Sequence, residues 1–193
     1  MEHYYLGIDI GGTSIRGVAM RDFADKKPQH VQCDTPENKK DFFAALEKLV
    51  VSLAGDKKLS GIGVGIRGVV DSQKGILVKD ERLPFLNGWK INAFFERFAS
   101  AVRADNDSRC FLRGEAELGA ARTYKNVIGL AIGTGIGGGI MIEGKIYRGR
   151  HNAAGEFGRM ILDGENTFES LAAKEAYNKL GDRSEIIGIG AAN

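Results

Sequence analysis

Asp9 lies at the end of an apolar run, Tyr4 to Ile10, with only Ile10 between it and Gly11-Gly12-Thr13. A glycine turn lets backbone N–H groups converge on an anion, because no side chains stand in the way. A carboxylate at that place suits a magnesium ion, held directly or through water. Thr13 adds a hydroxyl and Arg16 a cation. A second glycine run, Gly133-Thr134-Gly135 followed by Gly137-Gly138-Gly139, also comes after an apolar run, Val127 to Ile132. Two such turns facing each other across a cleft suit a phosphate chain. No Gly-Lys-Ser/Thr follows either run, which excludes a Walker P-loop. Both turns lead into strands and not helices, which argues against a dinucleotide-binding fingerprint.

The elements that hold these residues follow from periodicity. Tyr4 to Ile10 and Ser14 to Met20 read as strands around the first turn, and His30 to Cys33 as a third short strand. Phe42, Leu46, Leu49 or Val50, and Leu53 recur at helical spacing, so Asn38 to Ala54 is an amphipathic helix. Gly61 to Ile66 is a buried strand, Gly68 to Val78 a turn and short hairpin, and Ala101 to Ala104 a strand. Asn92 to Ala99 is a short helix with Asn92 as its cap. Asp107 to Tyr124 is a helix opened by Asp107 and Ser108, both favourable at an N-terminus. Val127 to Ile132 and Gly137 to Ile142 are strands, Lys145 to Tyr147 follows after a turn, and Glu169 to Leu180 is a helix. Asp182 to Asn193 begins another helix.

The two strand–turn–strand segments match each other. At one constant offset Gly7, Ile10, Gly11 and Gly17 coincide with Gly129, Ile132, Gly133 and Gly139. Either these are two unrelated tight hairpins or the fold is duplicated around one ligand. A duplicated fold puts the boundary near Arg122 to Asn126, with domains 1–122 and 123–193.

Composition narrows the class. The 193 residues include 27 glycines, about twice the usual share, but only 3 prolines, so neither collagen nor a disordered linker fits. The net charge of +2 argues against a nucleic-acid binder. Cys33 and Cys110 are too few for a disulfide scaffold or a four-thiolate zinc site. No signal peptide and no apolar run of about 20 residues is present, so no membrane partner and a cytoplasmic location are expected.

Asp9 to Arg16 resembles the first phosphate motif of sugar kinases in the actin, hexokinase and Hsp70 superfamily, and more narrowly of the ROK family (repressors, open reading frames and kinases). Asn106-Asp107 resembles that family's catalytic pair, Gly133 to Gly139 its second phosphate motif, and Gly149 to Gly158, with Ala154-Gly155-Glu156, its sugar-binding signature. The resemblance implies an α/β fold: a ribonuclease H-like, actin-type ATPase domain with a mixed five-stranded sheet, followed by an incomplete second copy. It implies an ATP- and magnesium-dependent kinase acting on glucose or a related hexose. Asp107 is then the general base, taking the proton from the attacking hydroxyl. On its own residues Asp107 reads as a helix cap. The resemblance makes Asn87 and Gly88, in Asn87-Gly88-Trp89, part of a loop over the sugar. Trp89 equally suits a packed anchor. It makes Asn106 and Glu156 ligands of sugar hydroxyls, where Glu156 alone reads as a surface ion pair. Glu169 is a second sugar ligand or a helix N-terminal charge. Gly68 either brings backbone close to the sugar or is a plain turn residue.

Three departures qualify the match. The family's zinc histidine position holds Arg159, which stays protonated, and Leu162 to Glu169 contains no cysteine, so no zinc is expected. Zinc-free relatives include polyphosphate-dependent glucokinases, which leaves polyphosphate as an alternative donor. Arg67-Gly68 replaces the usual Pro-Gly, and Arg67 either contacts phosphate or substrate or faces solvent. The chain is shorter than its relatives and ends inside a helical pattern, so a truncated product is expected, catalytic or only sugar-binding. The family's repressors carry a DNA-binding domain ahead of the first motif. Only eight residues precede Asp9, so no such domain is expected. A homodimer is the remaining partner expectation besides the sugar.

Overall fold

The computed structural model describes residues 3–22, 25 and 27–173. Its contacts divide the chain into two units, Met1–Asp107 and Ser108–Asn193. The division falls just after the first residue of the helix that begins at Asp107.

The first unit is built on a five-stranded mixed sheet in the order β3-β2-β1-β4-β7. Its strands are β1 (Tyr4–Ile10), β2 (Ser14–Met20), β3 (Gln29–Asp34), β4 (Leu59–Ile66) and β7 (Val102–Asn106). The first three run antiparallel, while β4 and β7 run parallel to β1. The parallel strands bury Leu6, Ile8, Ile10, Ile62, Val64, Ile66, Val102 and Ala104. Helix α1 (Lys39–Ala54) buries the predicted stripe Phe42, Leu46, Leu49, Val50 and Leu53. Its cap is Asn38, whose Oδ1 accepts the Asp41 N–H at 3.0 Å. A small hairpin of β5 (Val69–Asp71) and β6 (Ile76–Lys79) follows β4. Trp89 packs edge-on against Phe42, Phe43 and Phe94, with centroids 5.3–5.8 Å away, so it anchors its loop to the core.

Three boundaries differ from the sequence expectation. The strand expected at 101–104 runs on through Asp105 and Asn106, because Gly65 and Ile66 of β4 pair with them. Helix α2 is Ile91–Phe95, and its cap position is Lys90. Asn92 lies inside the helix beneath Gly75 and does not cap it. Helix α3 (Asp107–Leu118) stops six residues short of Tyr124. There the Glu115 side chain accepts the Ala120 N–H at 2.9 Å, and the Glu115 carbonyl accepts the N–H groups of Gly119 and Ala121, which turns the chain out of the helix.

In the second unit β8 (Val127–Ile132), β9 (Ile136–Ile142) and β10 (Lys145–Tyr147) form an antiparallel sheet in the order β10-β9-β8. Leu112, Ala121, Val127 and Met141 form its small core. A short ribbon, β11 (Ile161–Asp163) and β12 (Asn166–Thr167), leads to α4 (Phe168–Ala172), closed at its start by reciprocal bonds between Thr167 and Ser170. The rest of the helix expected at 169–180, and the one expected from Asp182, lie outside the described residues.

The two hairpins differ in register. Ile10 pairs with Ile15, but Ile132 pairs with Ile136, so the second turn is one residue shorter. Gly139 therefore faces Gly129, whereas Gly17 faces Ile8. The matching glycines coincide in sequence but not across the ladder beyond the turn.

Candidate functional site

Asp9 and Arg16 are cross-strand partners at the turn end of β1 and β2. The turn between them is closed by the Gly11 N–H donating to the Ser14 carbonyl at 3.0 Å, and Thr35 Oγ1 donates to the Gly11 carbonyl at 2.8 Å. Gly12 and Thr13 form the tip. Partial burial, and next the Asp107 carboxylate, push the Asp9 carboxyl above its ordinary range, while Arg16 opposes the shift. The sheet order explains this proximity: β1 and β7 flank β4, and Asp107 directly follows β7. The first unit thus gathers Asp9, Gly11, Gly12, Thr13, Arg16, Asn106 and Asp107 at one end of one sheet.

Asn106 is 5 % exposed. Its Nδ2 donates to the Gly68 carbonyl at 3.1 Å, and its N–H donates to Asp105 Oδ1 at 2.9 Å. Gly68 has φ of +89°, and a Cβ there would strike the Lys79 carbonyl and the Asp80 side chain. Its glycine character therefore serves the packing of β5 and β6 against Asp80. Asp80 is 3 % exposed. Its Oδ1 accepts the Leu83 N–H, its Oδ2 accepts from Arg67 Nε at 2.8 Å, and its own N–H donates to Asn87 Oδ1 at 2.7 Å. Asn87 and Gly88 are exposed, and the Asn87 carbonyl oxygen holds its loop to Asp80.

In the second unit the Gly133 N–H donates to the Gly135 carbonyl at 2.8 Å, which closes the tight turn around Thr134. Ser108 packs beneath Gly137, where a Cβ would strike its hydroxyl. Glu169 Oε2 accepts the Ile136 N–H at 2.7 Å, so this acid is brought to the Gly133–Gly135 turn from α4. Gly155 approaches Gly138 so closely that a Cβ on Gly155 would lie 2.8 Å from the Gly138 carbonyl. This contact draws Glu156 alongside β9. Glu156 Oε2 is 3.5 Å from Arg159 Nε, so the expected sugar ligand pairs with the arginine at the position where the resemblance implies a zinc histidine. Among the described residues no group of three or more His, Cys, Asp or Glu side chains is gathered for a metal.

Two further residues belong to these sites. Arg109 is 1 % exposed, and its Nη2 donates to the Asn152 carbonyl at 2.6 Å, in the Gly149–Gly158 segment. Asp80 is the other, as the buried anchor of Arg67 and Asn87. Neither lies in a motif. A charged residue two positions after Asp107, and an acid directly after a β-strand, were the only signals in the sequence.

Among the described residues no helix is long and apolar enough to cross a membrane. The sequence model of the ROK family matches residues 5–176. The N-acetyl-D-glucosamine kinase of Vibrio cholerae is 31% identical over 198 aligned positions, covering 98% of this chain and 60% of that protein. A ROK hexokinase from Thermus thermophilus matches at 26% identity with a TM-score of 0.71, over 91% of this chain and 62% of that one. A ROK family glucokinase from Streptomyces griseus, in complex with glucose and AMPPNP, matches at 24% identity with a TM-score of 0.78, over 91% and 59%. That last likeness shows the fold. The chain spans about three fifths of the length of these proteins.

Proposed function

The chain belongs to the ROK family, and from that premise we propose that it is a sugar kinase, transferring a phosphoryl group from ATP to a hydroxyl of glucose or a related hexose. The observation that carries this reading is the proximity of Asp107 to Asp9, expressed in the raised carboxyl of Asp9. A base for the sugar hydroxyl and a carboxylate for the phosphate's cation then work side by side.

Asp107 accepts the proton of the attacking hydroxyl. The hydroxyl oxygen bonds to the terminal phosphorus as the bond from phosphorus to the bridging oxygen breaks, and ADP leaves with that electron pair. Asn106, fixed by the Gly68 carbonyl, orients a neighbouring hydroxyl. In this reading Asn87 and Gly88 are sugar contacts of the first unit, and Glu156 and Glu169 are acceptors for sugar hydroxyls in the second. Each turn offers phosphate its backbone N–H groups and a threonine hydroxyl: Gly12 and Thr13 in the first unit, in a turn closed by Gly11, and Thr134, Gly135 and Gly137 in the second, in a turn closed by Gly133. A single carboxylate suits magnesium, which keeps most of its waters and shares phosphate oxygens. Asp9 would hold it, and the ion would neutralise donor charge. In this reading residues 123–193 belong to a second domain, and the protein is cytoplasmic, needs no zinc, and binds neither nucleic acid nor membrane.

The test is phosphorylation of a panel containing glucose, N-acetyl-D-glucosamine and N-acetyl-D-mannosamine, with ATP and separately with polyphosphate. Transfer that disappears in Asp107→Ala supports the reading. Polyphosphate activity without ATP activity reassigns the donor. Sugar binding without transfer from either donor makes the chain a sugar-binding protein only.

A further inference from the structure

Gly12, at the tip of the first turn, is covered by a guanidinium. A Cβ on Gly12 would lie 2.7 Å from Arg67 Nη1 and 3.0 Å from the Arg82 Cγ. A side chain at Gly12 would have to push the outer end of Arg67 aside, so the glycine admits the arginine to the turn as well as exposing the backbone. Arg67 is held there from behind. Its Nε lies 2.8 Å from Asp80 Oδ2, and that carboxylate is 1% exposed while the Arg67 side chain remains 40% exposed. Asp80 is itself fixed by the Leu83 N–H and tied to Asn87. The inner edge of the fork is thus anchored, and the outer nitrogens project over the turn that Asp9 and Arg16 flank.

We propose that Arg67 is a catalytic residue that contacts the phosphoryl group in flight. Anchored through Nε by Asp80, its outer guanidinium nitrogens donate to the terminal phosphoryl oxygens over Gly12. The inference rests on the kinase reading and adds to it a specific cation for the transferred group. The chemistry favours this role. Phosphoryl transfer spreads charge over the equatorial oxygens, and its catalysis is mostly positioning and charge stabilisation. A planar guanidinium offers parallel donors to such oxygens, and it stays protonated throughout. An arginine immobilised before the reaction has no ordering to do during it. No proton moves to or from Arg67: the hydroxyl proton still goes to Asp107. Asp80 is a positioning residue: its carboxylate bonds Arg67 and the Leu83 N–H, and its backbone N–H bonds Asn87.

Arg67→Lys is the informative variant. It keeps a cation for Asp80 and so keeps the fold, but a single ammonium cannot both satisfy Asp80 and reach across Gly12. The expected result is an unchanged melting temperature and sugar affinity, with kcat at least about 100-fold lower, in line with arginines that act on phosphoryl groups. Arg67→Ala, if folded, should regain part of its rate with added guanidinium ion. Calorimetry with inorganic tripolyphosphate is run alongside, and Arg67→Lys should bind it at least about tenfold more weakly than the unsubstituted chain. If the unsubstituted chain phosphorylates sugar and Arg67→Lys matches it in both kcat and tripolyphosphate affinity, the role of Arg67 is overturned and the kinase reading stands. If no sugar is phosphorylated but tripolyphosphate binds in an Arg67-dependent way, the kinase reading fails and the phosphate contact stands. A chain that neither transfers nor binds tripolyphosphate overturns both.

Discussion

The guanidinium of Arg109 donates to the main-chain carbonyl of Asn152 across 2.6 Å, inside a unit where the arginine is almost wholly buried. The bond ties the first turn of α3 to the loop that carries Glu156. Asn152 itself has φ of +56°, an uncommon backbone for a residue with a side chain. A charge-assisted bond of this kind contributes about 1.5–3 kcal/mol. Arg109→Met fills similar space without the donors. It should lower stability by about that amount and raise KM for the sugar more than it lowers kcat, because the loop and not the base is disturbed. Thermal melts and steady-state kinetics on the same preparation check both halves.

Asp9 yields a pH-dependent prediction. Its carboxyl titrates above the ordinary 3.8 in the folded chain, chiefly through burial and then through Asp107. Between 3.8 and the folded value, the unfolded chain holds fewer protons than the native one, so stability falls as pH rises through that window and stays reduced above it. Asp9→Asn removes the penalty. In the absence of magnesium the variant should melt higher than the unsubstituted chain at neutral pH, and the gap should close at about pH 3, where Asp9 is largely protonated in the folded and the unfolded chain alike. A variant that melts lower at neutral pH would remove the carboxylate repulsion from the account of this site. Added magnesium with ATP should raise the melting temperature of the unsubstituted chain only, by preferential binding to the folded form.

What the sequence disclosed was governed by local chemistry. Gly11-Gly12-Thr13 and Gly133-Thr134-Gly135 are readable because turns need glycine wherever they occur, and the stripe from Phe42 to Leu53 because a helix repeats its apolar face. Asp80 and Arg109 were illegible for the opposite reason. A buried charge looks like a surface charge until its partners arrive from distant segments, here Arg67 and the Asn152 carbonyl. The end of β7 was hidden because Asp105 and Asn106 are polar, and only pairing with β4 makes them strand residues. Asn92 offered a good capping side chain, but the helix begins one residue earlier, at Ile91, under the pull of that buried side chain. The one-residue difference between the two hairpin turns was equally out of reach, since a glycine match carries no register.

Glu169 separates two roles in one residue. One carboxylate oxygen holds the Ile136 N–H at 2.7 Å, at the edge of the Gly133–Gly135 turn. Glu169→Gln keeps an acceptor for that bond and removes the charge. A merely structural acid should tolerate the change in both stability and kinetics. The sugar-ligand role proposed above requires that the variant melt within a degree or two of the unsubstituted chain while KM for the sugar rises severalfold. Glu169→Ala should lose both, because the Ile136 N–H then has no acceptor.

Gly155 tests whether the sugar segment depends on a backbone approach. Its φ is +90°, and a Cβ would press on the Gly138 carbonyl and the Gly139 Cα at 2.8 and 3.0 Å. These neighbours are backbone atoms of a paired strand, so they cannot rotate away as a side chain would. Gly155→Ala adds one methyl and strains both the dihedral and the contact, at a combined cost of about 1–3 kcal/mol. The segment can relieve the strain only by lifting from β9, which moves Glu156 away from its place beside the strand. The expected outcome is a lower melting temperature together with a loss of sugar binding by calorimetry. The exposed Gly144→Ala, at φ of +74° with nothing within 4 Å of its added methyl, is the matched control: backbone strain without the contact. It should lower the melting temperature less and leave sugar affinity unchanged. Equal effects of the two substitutions on affinity would show that the approach of Gly155 to Gly138 does not position the sugar ligand.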